Sequence, residues 1–118
     1  MTITRIDEAG TVTLKAEGWL DTVSASVLGE AIEAVEAADA LVLDFEKVEY
    51  MSSFGLRQVI IAAKKAREIG ARFSVINVDT AVMSIFGMTG LDQRMEVSGK
   101  EAEEEEETAE KAEETPAP

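Results

Sequence analysis

Two hydrophobic patterns meet within residues 41–56, and this junction constrains the fold more than any other part of the chain. Residues 41–43 form a continuous apolar run, which is typical of a strand buried on both faces. A helical, amphipathic pattern then extends from about residue 53 to residue 69 and ends at Gly70, a good C-cap residue. Strand and helix patterns alternate elsewhere as well, so the sequence predicts an α/β fold with parallel strands.

The other elements follow from local patterns. Strands are predicted at residues 2–7, 11–17, 41–45 and 72–78, with a short last strand at 95–97. The first two should form a hairpin, which makes the sheet mixed, and Gly18 should end the second. Asp21 is a good N-cap for a first helix, and Asp79 or Thr80 should begin a third helix that ends near Met88.

Apolar positions predict which side of each helix is buried. The predicted stripes are Val27, Leu28, Ala31, Ile32 and Val35; then Leu56, Val59, Ile60 and Ala63; then Val82, Ile85 and Phe86. Ile61 lies off its stripe, between Arg57 and Lys65. An exposed isoleucine flanked by charges is either ordinary surface or an anchor for a partner.

Charge divides the chain into two parts. The 118 residues carry a formal net charge of −13, and residues 101–118, with nine Glu and one Lys, contribute −8 of it. The remaining −5 makes the rest only mildly acidic, so neither part is expected to bind nucleic acid. We therefore expect a domain at residues 1–99 and an acidic, disordered tail at 100–118.

The chain lacks the residues that several classes of function require. Cysteine and histidine are absent, which removes disulfides, thiolate chemistry and the commonest general base and metal ligand. A Ser-Lys pair would need a lysine near Ser53, and the nearest in sequence is Lys47. The carboxylates of Asp44, Glu46 and Glu49 have no recognised metal-binding spacing. We expect no enzymatic activity, no cofactor and no metal.

The distribution of apolar residues also bears on where the protein is located in the cell. No apolar run approaches the about 18 residues that a membrane helix needs, and the first residues have no apolar signal region. We expect a cytoplasmic protein that does not enter the membrane.

Two adjacent hydroxyls, Ser52 and Ser53, stand where the strand gives way to the helix. One interpretation is purely structural, since a serine at a helix N-cap accepts a bond from a backbone N–H. The other is a switch, since a helix N-terminus tolerates a phosphate without unfolding. In the second interpretation, we expect Ser53 to be the N-cap, with its hydroxyl partly exposed. The Ser52 side chain should then point toward the end of the strand.

Three motifs resemble a known family. They are Asp44-Phe45-x-x-Val48-x-Tyr50-Met51-Ser52-Ser53-x-Gly55-Leu56, Gly18-x-Leu20-Asp21-Thr22 and Thr89-Gly90-Leu91-Asp92. Their order over residues 1–98 is similar to STAS domains, in particular the bacterial anti-sigma-factor antagonists. The resemblance implies a mixed sheet of four to five strands, with about three to four helices packed mainly on one face.

The resemblance also implies a function. Unphosphorylated antagonists of this family bind an anti-sigma factor that is a serine kinase, and so free a sigma factor. Phosphorylation releases the antagonist, and a PP2C-type phosphatase resets it. The acceptor position maps onto Ser53, with Ser52 as the alternative. Expected partner-binding residues are Asp21, Tyr50, Met51, Ser52, Phe54, Gly55, Arg57 and Ile61. A STAS scaffold or accessory subunit without phosphorylation control is the alternative function.

Overall fold

The computed structural model describes residues 1–100, in which an opening hairpin is followed by alternating helices and strands. The elements are β1 (Thr2–Glu8), β2 (Thr11–Leu20), α1 (Ala25–Glu33), β3 (Ala40–Met51), α2 (Ser53–Ile69), β4 (Arg72–Val78), α3 (Thr80–Thr89), a 3-10 turn (Leu91–Gln93) and β5 (Glu96–Gly99). The predicted α/β class and mixed sheet are confirmed. The expectation of a disordered tail falls on residues 101–118, outside the described residues.

The sheet has the order β1-β2-β3-β4-β5, with β1 antiparallel to β2 and every other pair parallel. Each parallel crossover steps in the same direction along the sheet. Because such crossovers are right-handed, the three helices are carried to the same face. Leu20 pairs with Met51, and Val78 with Gly99, so the carboxyl ends of the four parallel strands share one edge.

One hydrophobic core joins the sheet to the helices. Alternate residues of β2, β3 and β4 point into it, as the two-residue period of a strand requires. Its fully buried members from the strands include Leu14, Leu41, Leu43 and Val75, and those from the helices include Leu28, Ile32, Val59, Ala62 and Phe86.

The opposite face of the sheet is more polar. Leu41 and Leu43 are buried on the face that the helices cover, but Val42, which points to the opposite face, is only half-buried. The prediction that residues 41–43 are buried on both faces therefore holds for one face only. Asp44, on the same face as Val42, is buried because its carboxylate has partners: it accepts hydrogen bonds from Asn77 Nδ2 at 3.0 Å and Glu46 N at 3.1 Å.

Two predicted strand ends are wrong. Gly18 does not end β2: the strand shifts register between Gly18 and Trp19 and continues to Leu20. Gly18 has a φ of +120°, a conformation that glycine adopts without strain. β3 continues past residue 45 to Met51, so almost no loop separates it from α2.

Helix α2 buries a different stripe from the predicted one. Gly55, Val59, Ala62 and Ala66 are buried, whereas Ile60 is 42% exposed and Leu56 and Ala63 are only partly buried. In α1, Val27 is likewise exposed. The hydrophobic pattern of α2 is broad enough to fit either rotation, and small residues, which allow close packing, occupy the side that faces the sheet.

We predict that the chain folds without residues 101–118. Apart from Pro116 and Pro118, their composition offers no apolar residue larger than alanine for a core. Ending the chain at Lys100 should lower the free energy of unfolding by less than about 1 kcal/mol. For a domain of this size, the decrease in Tm should therefore be smaller than about 4–8 °C. Thermal melts of both lengths at the same ionic strength measure this. A larger loss would place the tail within the cooperative unit.

Candidate functional site

The two serines occupy different positions at the start of α2. Ser52 is the N-cap, in an extended conformation, and its Oγ accepts hydrogen bonds from Phe54 N at 3.2 Å and Gly55 N at 3.4 Å. Ser53 is the first helical residue and is exposed. The sequence-based placement of Ser53 at the N-cap is therefore wrong, because the cap geometry selects Ser52. Ser53 has no capping task, and its hydroxyl bonds to no other group among residues 1–100.

The start of α2 is held against the end of β2. Ser52 N donates to Leu20 O at 2.9 Å. A Cβ added to Gly55 would lie 2.5 Å from Leu20 Cγ and 3.0 Å from Leu20 O. Only glycine fits this approach, so Gly55 fixes the distance between the helix and the strand.

Asp21 organises the turn that leaves β2. Its Oδ1 accepts from Ser24 N at 3.0 Å and from Val23 N at 3.2 Å, and lies 3.0 Å from Ser24 Oγ. These bonds, above all the one from the Ser24 backbone N–H, lower the pKa of Asp21 from its usual value because they favour the charged carboxylate. The predicted N-cap role is wrong: Ser24 precedes the first helical residue of α1.

An exposed aromatic pair lies at the same edge of the sheet. Trp19 and Tyr50 are register partners on β2 and β3, with ring centroids 5.6 Å apart and planes tilted by 49°. Trp19 is 63% exposed and Tyr50 48%. Aromatic side chains are enriched in protein interfaces. Trp19 is not among the residues predicted to bind a partner, because its position opposite Tyr50 depends on the register shift at Gly18, which the sequence pattern does not reveal.

The remaining candidate residues divide by burial. Phe54, Arg57 and Ile61 are exposed on α2 and can contact a partner. Met51 and Gly55 are buried, so they shape the turn without presenting side-chain surface. Thus the structure brings the candidates from Asp21 to Gly55 to one edge of the sheet, with Arg57 about one turn and Ile61 about two turns further along α2.

Other chemistry has little support in the described part of the chain. Residues 1–100 contain no group of three carboxylates close enough to share a metal ion. Lys47, the lysine nearest to Ser53 in sequence, forms an ion pair with Glu17: its Nζ lies 3.5 Å from a carboxylate oxygen of that residue. No helix within these residues has the length and apolar character to cross a bilayer.

Known proteins resemble this chain in sequence and fold. The family model of the STAS domain matches residues 2–106. The anti-sigma-F factor antagonist RsfB of Mycobacterium tuberculosis is 33% identical over 97 residues, covering 79% of this chain and 77% of RsfB. An anti-sigma factor antagonist from Mycobacterium paratuberculosis superposes with a TM-score of 0.75 at 29% identity, over 82% of this chain and 84% of that one.

A more distant structure has the same fold. SpoIIAA from Bacillus, in its phosphorylated form, superposes with a TM-score of 0.66 at 18% identity, over 89% of this chain and 98% of that one. Together the family match and the identity to RsfB show that the chain belongs to the STAS domain family.

We predict that Gly55→Ala destabilises the protein by about 1–3 kcal/mol, because the added methyl group must displace Leu20. Gly87→Ala in α3 is the matched control. A Cβ there meets only Asp92 Oδ2, at 4.0 Å, so helix propensity should make this change neutral or stabilising by up to about 1 kcal/mol. Urea unfolding of both variants measures the difference. Equal stability of the two would contradict the close approach at Gly55.

Proposed function

We propose that this protein is an anti-sigma-factor antagonist that works by partner switching, with Ser53 as its phosphorylation site. The unphosphorylated chain binds an anti-sigma factor that is also a serine kinase, and phosphorylation releases it. The similarity to RsfB supports the role, and the geometry of the two serines supports the site. A PP2C-type phosphatase restores the binding form. The protein itself is a non-enzymatic cytoplasmic binding module.

The single observation that carries the site assignment is the division of tasks between the two hydroxyls. Ser52 Oγ is occupied by two backbone N–H groups, and its side chain is only half-exposed. Ser53 is exposed, and its hydroxyl is not needed for the fold. A kinase can therefore modify Ser53 without removing the helix cap.

The start of α2 suits a phosphate in the free protein. Its first turn contains no acidic residue, and the positive end of the helix dipole favours negative charge. A phosphate adds a charge of about −1.5 to −2 at pH 7. In a complex the same charge must lose its water, and each ~1.4 kcal/mol of that cost weakens binding tenfold. The modification therefore acts on the complex and leaves the fold intact.

The proposed interface surrounds this turn. Tyr50 with Trp19, Phe54 and Ile61 supply exposed apolar surface, and Arg57 supplies charge. Ser52, Asp21, Met51 and Gly55 hold the turn in place. Aromatic and arginine side chains commonly dominate binding energy, so these exposed residues are suited to the partner.

We predict that Ser53→Asp weakens binding to the cognate anti-sigma kinase by at least about tenfold, the equivalent of ~1.4 kcal/mol. The melting temperature should stay close to that of the unchanged protein, since an acid at a helix start is favourable. Ser53→Ala should bind but should not be released by ATP. Calorimetric titration measures affinity, and peptide mass spectrometry after incubation with ATP locates the phosphate.

Ser52→Asp is the matched control, since it places the same charge one residue earlier. Aspartate caps helices as well as serine does, so this variant should keep its affinity within about threefold and should still accept phosphate at Ser53. Phosphate fully retained on Ser53→Ala, or equal weakening by both aspartates, would overturn the assignment.

A further inference from the structure

Helix α2 carries a stripe of exposed residues that the fold does not use. Ser53, Arg57, Ile60, Lys64 and Arg67 are spaced by four, three, four and three residues, which places them on one side of a helix. All five are exposed. We call these residues the α2 stripe. The buried side of the helix, formed by Gly55, Val59, Ala62 and Ala66, points the other way.

The stripe is positively charged and unpaired. Arg57, Lys64 and Arg67 form no ion pair with any carboxylate of residues 1–100, where the two ion pairs involve Arg5 and Lys47. The other lysine of the helix, Lys65, instead turns toward α1 and donates to Glu33 O at 3.1 Å. Three cations that form no ion pair within residues 1–100 therefore follow one another along α2, in a domain whose net charge is negative.

The chain supplies its own counter-charge. Residues 101–118 carry a net charge of −8, with five consecutive glutamates at positions 103–107. The rest of the chain offers no comparable acidic run. A segment of this composition is repelled by the acidic remainder of the domain and attracted by the α2 stripe.

The tail also starts in the right place. β5 ends at Gly99, which pairs with Val78 at the carboxyl edge of the sheet, and α2 begins at that same edge just after Met51. β3 and β5 are separated by β4 alone, so they lie about 10 Å apart across the sheet. β3 continues past Asp44, its last residue paired with β4, to Met51, so the start of α2 lies further along the strand direction than Gly99. Eighteen residues can span up to about 60 Å, and α2 is only about 26 Å long. The whole tail can therefore cover the stripe, and residues 103–107, which lie three to seven residues beyond Lys100, extend up to about 10–25 Å from it.

We propose that residues 101–118 dock on the α2 stripe of the same molecule and shield the start of α2. Resting on the proposed function, this makes the tail a competitor of the anti-sigma kinase for Arg57. A phosphate on Ser53 lies at the head of the stripe and repels the tail as well as the partner. The contact is electrostatic and is screened by salt.

The absence of cysteine allows a direct test in the full-length protein. A nitroxide attached at Ala112→Cys broadens the NMR signals of nearby amides, with no native thiol to compete. A tethered segment has an effective concentration of about millimolar, so even weak docking fills about half of the molecules. Amides of the stripe should then lose at least about half of their intensity, while those of β1 should not.

Two sets of variants give the assignment its specificity. The loss should disappear when glutamates 103–107 become Gln, and in 1 M salt, where screening acts over about 3 Å. It should also disappear in the triple change Arg57→Gln, Lys64→Gln, Arg67→Gln. The matched triple change Lys15→Gln, Lys47→Gln, Arg72→Gln removes three exposed cations outside α2 and should leave the loss unchanged.

Uniform broadening, or a loss that survives the glutamine changes in the tail, would overturn the proposal. An equal loss in a mixture of spin-labelled ¹⁴N protein with ¹⁵N protein that carries no spin label would also overturn it, because the tail would then occupy the stripe of a second copy. No kinase takes part in this experiment. A negative result therefore leaves the phosphorylation of Ser53 standing, and a failure of that assignment leaves the tail contact standing.

Discussion

The contact between Gly55 and the end of β2 sets the geometry on which the candidate site depends. The Leu20 side chain and carbonyl occupy the space that any Cβ at residue 55 would need, and the Leu20 carbonyl also accepts the Ser52 N–H. Together these contacts fix the height and rotation of the first turn of α2 over the sheet. The rotation buries Gly55, Val59 and Ala62, and leaves Ser53 and the stripe behind it in solvent. A small residue in the core thus determines which of the two hydroxyls is exposed to solvent.

The N-cap explains how neighbouring serines take on separate tasks. A cap residue needs an oxygen that accepts N–H groups of the first turn, and serine and aspartate supply one equally well. Ser52 supplies that oxygen here, through its bonds from Phe54 N and Gly55 N. The next residue, Ser53, lies where a helix dipole favours negative charge and where the chain itself places no acid. The helix cap and the proposed phosphorylation site therefore lie side by side in the same turn without competing for the same hydroxyl.

Strong local patterns predicted the elements, and tertiary contacts decided their ends and rotations. The alternation of Val12, Leu14 and Ala16 and the capping residue Asp79 are local signals, and β2 and α3 appear where they predict. The burial of Ala62 in place of Ile60 is not local, because it depends on how closely Gly55 approaches Leu20. The role of Asp21 is similar: its carboxylate caps a turn around Ser24 that sequence spacing cannot distinguish from a helix start. Trp19 lies beside Tyr50 only because the register of β2 shifts after Gly18, and local sequence does not predict that shift.

We expect a phosphate on Ser53 to change the surface of the protein and to leave its fold intact. The most direct test compares ¹H–¹⁵N spectra and thermal melts of the chain before and after complete phosphorylation of Ser53. The account predicts shifts concentrated at the exposed side of α2 and the adjoining turn after Leu20, unchanged core amides at Leu43 and Val75, and an equal or higher Tm. Shifts spread through the core strands together with a lower Tm would show that the phosphate acts by disrupting the fold, and would contradict the account.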